Sequence, residues 1–181
     1  MALKIGRIEG ADLRVLDVAA LLHDIGRREE DTSKGLVCHA EISAAKSRKL
    51  LAKYKLKKEE QENILHAILS HRFRNNHEPI TIEAKVLFDA DKLDSIGAIG
   101  LGRIFLFAGE VGAKLYNEDR ANAHKTKAYS EEDTAWRDFL VKESKVKDRM
   151  LTKTGKRIAV GRHRFMVNFF RQFWLEVDGR K

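Results

Sequence analysis

The hydrophobic residues of this chain recur mainly at helical spacing. The segment from Asp12 to about residue 26 has apolar residues at i, i+3, i+4 and i+7, and aspartate is a residue type that caps helices. These apolar residues are Val15, Val18, Ala19 and Leu22. Alternating β-branched runs are almost absent and the chain has one proline, Pro79, so helices are favoured over strands. The pattern predicts an all-α protein.

Helical periodicity continues along most of the chain. We predict further helices at residues 1–9 (ending at Gly10), at 38–53 and 56–73, from Thr81, over "SIGAIGLGRIFLFAG", and two between 131 and 181. The last helix is strongly amphipathic, with Phe165, Phe169 and Phe173 at four-residue spacing, so we expect the C-terminal helices to pack on the core. Residues 109–130 are polar and charged, and a loop of this length is usually functional or mobile.

Length and composition restrict the class of protein. A chain of 181 residues with 43 % hydrophobic content predicts one globular domain, or one domain plus an appended helix. No apolar run approaches about 18 residues, so no membrane span is expected. The single cysteine, Cys38, cannot form an internal disulfide, which is typical of a cytoplasmic protein. The net charge of +8 indicates either phosphorylated partners or a solvated, lysine-rich surface.

A histidine and a carboxylate stand at the end of an apolar segment. In "AALLHDIGRREED", four apolar residues lead directly to His23 and Asp24. A buried, unpaired carboxylate costs several kcal/mol, so Asp24 needs a proton, a cationic partner or a metal ion. The same reasoning applies to other polar residues on apolar helix faces, which are His39, His71, and Asp91 with Asp94 three residues later. Mixed imidazole and carboxylate ligands suit manganese, iron, nickel or zinc, whereas magnesium prefers oxygen.

Three segments together resemble a known family. The segments "ALLHDIG", "DADKLDSIGAIG" and "KVKDRMLTKTGKRIAVGRHRFMVNFFRQFW" resemble the HD superfamily of metal-dependent phosphohydrolases, in particular its branch of predicted bacterial and archaeal HD hydrolases. The resemblance covers nearly the whole chain. It implies a helical bundle in which a His, a His-Asp doublet and a later Asp bind one divalent ion. His23 and Asp24 match the doublet, Asp91 matches the last ligand, and Asp94 matches a residue that supports a ligand.

The chain departs from the family pattern at the first ligand, because no histidine precedes His23. Either the first helix is truncated, which the uncapped start at Met1 favours, or fewer protein ligands bind the ion. A two-metal subset of the superfamily has extra histidines, and His39 and His71 occupy suitable places for them. The cyclic-dinucleotide phosphodiesterase branch is excluded, because "SHRFRNNHEP" lacks its Gly-Tyr-Pro motif.

The resemblance implies hydrolysis of a phosphoester or phosphoanhydride, with a nucleotide as the expected substrate. Asp24 and Asp91 are then the expected catalytic carboxylates. Candidates for binding the substrate phosphate are Arg27, Lys92 and Arg103, and Lys114, Arg120, Lys125 and Lys127 would make the 109–130 loop a basic lid. The alternative is a non-catalytic HD domain that binds nucleotide or, less favoured, nucleic acid through a basic surface. A homo-oligomer is compatible with the sequence.

Overall fold

The computed structural model describes residues 1–33, 36–72 and 77–180, and its regular elements are helices. They are α1 (Ala2–Glu9), α2 (Leu13–Leu22), α3 (Arg27–Thr32), α4 (His39–Leu51), α5 (Lys58–Ser70), α6 (Ile82–Asp94), α7 (Gly97–Glu110), α8 (Ala135–Val141) and α9 (Lys153–Val177). Short 3-10 helices occur at Ala123–Lys125 and Glu143–Arg149. The described residues contain no strand, so the all-α prediction is confirmed. None of the helices in these ranges has the length and apolar character needed to cross a bilayer.

Backbone contacts divide the chain into two compact units. The first comprises Met1–Asp91 and Leu151–Gly155, and the second comprises Lys92–Met150 and Lys156–Lys181. The prediction of a single domain stays a prediction.

In the first unit, α1 packs against α2, both α2 and α4 pack against α5, and α3 packs against α4. Gly10 ends α1 with a φ of 75°, a left-handed conformation that glycine adopts without strain. Asp12 then begins α2, because its side chain accepts hydrogen bonds from the backbone N of Arg14 and Val15. The helices predicted at 1–9 and from Asp12 are therefore present. The buried apolar residues of this unit include Ile5, Leu16, Ile64 and Ile68.

Asp89 connects α6 to the start of α9 within the first unit. Its carboxylate is completely buried and accepts hydrogen bonds from Leu151 N (2.8 Å), Thr152 N (2.8 Å) and Thr152 Oγ1 (2.6 Å). Gly155 lies directly against this carboxylate, and a Cβ atom at Gly155 would lie 2.1 Å from Asp89 Oδ2. Glycine is needed here for space.

We expect Gly155→Ala to lower the free energy of unfolding by about 2 kcal/mol, because the new methyl group must displace a buried, fully hydrogen-bonded carboxylate. Gly161→Ala, in the same helix, is the matched control, since a Cβ there meets no atom within 4 Å. The control should raise stability by about 0.5–1 kcal/mol. Urea denaturation followed by circular dichroism measures both. Equal effects of the two substitutions would contradict the contact with Asp89.

The second unit contains an aromatic core formed by α7, α8 and α9. Met166 and Phe170 of α9 are buried, and the Phe170 ring lies 4.9 Å from Phe139 and 5.1 Å from Trp136. The predicted amphipathic helix is present. Its most buried face is centred on Met166 and Phe170, whereas Phe165 is exposed, because the rings of α8 contact α9 on that face.

The segment 109–130 is held by hydrogen bonds within the second unit. Buried Asn117 donates to Glu132 O (3.0 Å) and Oε2 (2.9 Å) and accepts from Thr134 Oγ1 (2.5 Å). Arg120 pairs with Asp178, and the hydrogen bonds from Arg120 and then Arg180 lower the pKa of Asp178 to about 2. Two of the four basic residues predicted to form a lid therefore have acidic partners, since Lys114 also pairs with Glu132 (2.8 Å). The mobility of the segment and its role as a lid stay predictions.

Candidate metal centre

The His-Asp doublet lies in the turn that follows α2. The prediction of a helix to about residue 26 is wrong at its end, because α2 stops at Leu22. The cause is Gly26, whose backbone N donates to Ser43 Oγ of α4 at 2.9 Å. A Cβ atom at Gly26 would lie 2.7 Å from His39 O and 2.8 Å from Ser43 N. This close approach brings the turn with Asp24 against the N-terminus of α4, where His39 begins the helix.

Three side chains converge on one point. His39 Nε2 lies 3.0 Å from His71 Nε2, and Asp24 Oδ1 lies 3.2 Å from His39 Nε2 and 3.6 Å from His71 Nε2. We searched the described ranges for groups of His, Cys, Asp or Glu side chains that could hold a metal ion. Asp24, His39 and His71 form such a group, because their ligand atoms all lie within 4.8 Å of one another. His39 and His71 are buried, whereas the Asp24 side chain is 38 % exposed. Solvent therefore reaches the cluster at Asp24.

The hydrogen bonds of the two buried rings determine which nitrogen faces the cluster. His39 Nδ1 lies 2.5 Å from Glu30 Oε2, and His71 Nδ1 lies 2.6 Å from the carbonyl O of Ile68. A carboxylate and a carbonyl only accept hydrogen bonds, so each Nδ1 carries the proton. In the neutral rings, both Nε2 atoms then direct lone pairs at each other over 3.0 Å. Such an arrangement needs a proton or a cation between the two nitrogens.

His23 lies beside this cluster without being one of the three. Its ring centroid is 5.1 Å from that of His71, and its Nε2 is 3.9 Å from Asp24 Oδ2. Its Nδ1 lies 2.7 Å from the carbonyl O of Ala20, so the neutral ring again has its lone pair on Nε2. A third imidazole of the same tautomer is therefore adjacent to the site.

The Asp24 carboxylate is an anion in this environment. Burial raises the pKa of Asp24, but four neighbours lower it by more than burial raises it, and its pKa lies well below its ordinary value. These neighbours are, in order of effect, His71, His23, Arg27 and His39, and the three histidines lower it when the Nε2 atom that faces Asp24 carries a proton. Arg27 Nη2 contacts both carboxylate oxygens at 3.3–3.4 Å. Asp24 thus offers acceptor oxygens and no donor.

A network of charges behind His39 was not predicted from the sequence. Glu30 is only 7 % exposed, and it contacts His39, Arg27 (3.0 Å) and Arg72. Burial raises the pKa of Glu30, but hydrogen bonds from His39 and then Arg72 lower it by more. Glu30 stands in the acidic run "REED", which is typical of a solvated helix face, so periodicity offers no signal for its burial.

The donor set fits a divalent first-row transition ion. Two imidazole nitrogens and one carboxylate oxygen with their lone pairs directed at one point are ligands for manganese, iron, nickel or zinc. Magnesium fits less well, since it prefers oxygen ligands. The hydrogen bonds from Nδ1 to Glu30 and Ile68 are of the kind that orient metal-binding histidines.

Residues 1–96 match the family model of the HD domain. This match covers more than half of the chain. The chain belongs to the HD-domain family. The sequence-based assignment to this superfamily is therefore confirmed.

Relatives of this HD protein match it along nearly its full length. The uncharacterized protein YpgQ of Bacillus subtilis (strain 168) is 34 % identical over an alignment of 184 positions, which covers 99 % of this chain and 80 % of YpgQ. A crystal structure of YpgQ in complex with ADP matches with a TM-score of 0.69 at 32 % identity, over 95 % of this chain and 78 % of that one. An HD-superfamily hydrolase from Bacillus thuringiensis matches with a TM-score of 0.75 at 30 % identity, over 99 % of this chain and 82 % of its own.

The other residues predicted from the HD pattern do not belong to the group of Asp24, His39 and His71. Asp91 is half-buried near the end of α6 and is not one of the three clustered ligands. Lys92 is also half-buried and belongs to the second unit. Asp94 and Arg103 form an exposed ion pair with each other in that unit. The structure thus brings His39 and His71 to Asp24, and the roles assigned to all these residues stay predictions.

Proposed function

We propose that this HD protein is a divalent-metal-dependent phosphohydrolase and that its substrate is a nucleotide. The observation that carries the proposal is the convergence of His39 Nε2, His71 Nε2 and Asp24 Oδ1 in a site that solvent reaches. The hydrolytic activity is supported by the HD-superfamily hydrolase from Bacillus thuringiensis, which is 30 % identical to this chain.

In this proposal, His39, His71 and Asp24 hold the ion. When bound, a divalent ion polarises a phosphoryl oxygen and lowers the pKa of coordinated water. Arg27 binds the substrate phosphate, because its side chain is 46 % exposed beside the Asp24 carboxylate and a guanidinium donates two parallel hydrogen bonds to a phosphate. The contact of Arg27 with Asp24 and Glu30 keeps the guanidinium at the open side of the cluster.

The nucleotide is supported by one relative and by charge. YpgQ has been crystallised in complex with ADP, and the net charge of +8 favours a polyanionic substrate. The reaction that we propose is hydrolysis of a nucleoside triphosphate to a nucleoside monophosphate and pyrophosphate. The single cysteine supports a cytoplasmic location.

The test is a panel of nucleoside triphosphates and diphosphates incubated with purified protein and Mn²⁺, followed by assays for phosphate and pyrophosphate. We expect metal-dependent release that EDTA abolishes and that added Mn²⁺ restores. His77→Ala, which changes an exposed histidine outside the cluster, should leave the release unchanged. Binding of nucleotide without turnover, in protein that retains Mn²⁺, would favour a non-catalytic HD domain instead.

The HD pattern also assigns His23 and Asp91 to the metal, and two variants test this assignment. We propose that His23→Ala and Asp91→Ala each reduce Mn²⁺ retention and turnover. Elemental analysis of the purified variants measures retention directly. Unchanged retention and turnover in Asp91→Ala would remove Asp91 from the site and leave the cluster of Asp24, His39 and His71.

A further inference from the structure

Glu30 is a buried charged residue, and apolar packing does not explain its burial. It lies on α3, one position after Glu29, whose side chain is half-buried. Its Oε2 accepts from His39 Nδ1 (2.5 Å) and from Arg27 Nη1 (3.0 Å), and its Oε1 pairs with Arg72. A buried carboxylate is costly unless it is paired and hydrogen-bonded. Each of these contacts of the Glu30 carboxylate is with a nitrogen donor, from His39, Arg27 or Arg72.

The contact with His39 has a chemical consequence for the metal centre. Because Glu30 can only accept, it requires the proton of the neutral His39 ring to reside on Nδ1. The lone pair of His39 is then on Nε2, which is the atom that lies 3.2 Å from Asp24 Oδ1 and 3.0 Å from His71 Nε2. If the proton were on Nε2 instead, a hydrogen atom would occupy the point at which the ligands converge.

Arg72 favours the ionised form of the Glu30 carboxylate by pairing with it. It follows His71 directly in the chain, and its guanidinium contacts both Glu30 and Cys38 Sγ, the latter at 3.7 Å. Cys38 precedes His39 at the start of α4. Arg72, which follows His71, therefore contacts both Glu30 of α3 and the residue that precedes His39. These contacts couple the positions of the two histidines to that of α3.

We propose that Glu30 is a positioning residue that fixes the Nδ1–H tautomer and the orientation of His39 for metal binding. The proposal rests on the proposed function in one respect, namely that His39 binds the metal. It adds that α3, which contributes no ligand from its own residues 27–32, determines the affinity of the site through Glu30. Such supporting hydrogen bonds typically change metal affinity about 10- to 100-fold.

The first experiment needs no variant and no metal. Long-range ¹H–¹⁵N correlation spectra of metal-free protein at about pH 8, where a histidine of ordinary pKa is neutral, distinguish the two tautomers. The His39 signals are identified by their absence from His39→Asn. We expect the Nδ1–H tautomer for His39. An Nε2–H tautomer would overturn the proposal, whatever the protein does with metal or nucleotide.

The second experiment compares two carboxylates that differ by one position on α3. In Glu30→Gln, the side-chain amide can donate as well as accept, so it no longer imposes the tautomer and no longer neutralises Arg72. We expect Mn²⁺ affinity, measured by isothermal titration calorimetry, to fall about 10- to 100-fold. The matched control is Glu29→Gln, which removes an ion pair between α3 and Lys46 of α4 and touches neither histidine. It should bind Mn²⁺ within about twofold of the unmodified protein, a margin much smaller than that expected effect.

The outcomes separate this proposal from the proposed function. A folded Glu30→Gln with unchanged Mn²⁺ affinity overturns the positioning role, even if turnover proves the protein to be a phosphohydrolase. Equal losses in Glu30→Gln and Glu29→Gln would also overturn it, because they would show that α3 acts only as a structural element. If Glu30→Gln does not fold, or if the unmodified protein binds no Mn²⁺, the tautomer of His39 in the unmodified protein decides.

Discussion

Asp24→Asn is expected to reduce Mn²⁺-dependent release of phosphate or pyrophosphate by at least about 100-fold, since it removes a proposed ligand rather than a residue that supports one. The amide keeps the shape of the side chain but has no negative charge and replaces one acceptor oxygen with a donor group. The loss should appear as lost Mn²⁺ retention, because Asp24 Oδ1 faces both His39 Nε2 and His71 Nε2. Elemental analysis and the nucleotide panel measure the two effects on one preparation.

The control for this substitution is Asp17→Asn, on the exposed side of α2, the helix that precedes the turn with Asp24. It makes the same chemical change, removes the same charge from the protein, and should leave both metal retention and turnover as they are. Full activity of Asp24→Asn would exclude the cluster of Asp24, His39 and His71 as the site of catalysis.

Gly26→Ala is expected to lower the free energy of unfolding by about 3 kcal/mol, at the upper end of the usual cost of overpacking, and to abolish Mn²⁺ retention. The backbone of Gly26 has a φ of −99°, which alanine adopts readily, so the cost comes from space. A Cβ atom would lie 2.7 Å from His39 O, 2.8 Å from Ser43 N and 2.9 Å from Ile42 Cβ. Two of these are backbone atoms of α4, so the turn with Asp24 must move away from His39.

Urea denaturation and metal analysis measure these two effects of Gly26→Ala. Gly102→Ala in α7 is the comparison, because a Cβ there meets no atom within 4 Å, and it should retain the metal. If Gly26→Ala kept its stability and its Mn²⁺, the close contact between the turn and α4 would be wrong.

The helices and their caps follow from local chemistry. Asp12 begins α2 through two hydrogen bonds to its own first turn, and Gly10 ends α1 in a left-handed conformation. Both effects involve residues no more than a few positions apart, so residue type and spacing are enough to predict them. The end of α2 could not be predicted in this way, because it depends on a hydrogen bond between Gly26 and Ser43, 17 residues later.

The C-terminal helix also depends partly on local sequence pattern and partly on tertiary contacts. Its amphipathic pattern predicts a helix with one buried face, and α9 is such a helix. Periodicity alone did not distinguish the stripe of Phe165, Phe169 and Phe173 from the neighbouring stripe of Met166 and Phe170. The stripe of Met166 and Phe170 is the more buried one because the rings of Trp136 and Phe139 contact Phe170.

The sequence by itself determined the helical class, the family and the residue for which a partner is expected, since an aspartate at the end of an apolar segment is costly to bury unpaired. Tertiary structure decided which residues meet Asp24. His39 and His71 are 32 residues apart, and each alone has the pattern of an ordinary core histidine. Glu30 has the pattern of a surface residue, yet it is buried against His39. Spacing along a helix defines a face, but only the packing of α3, α4 and α5 determines which polar atoms on different faces share one point.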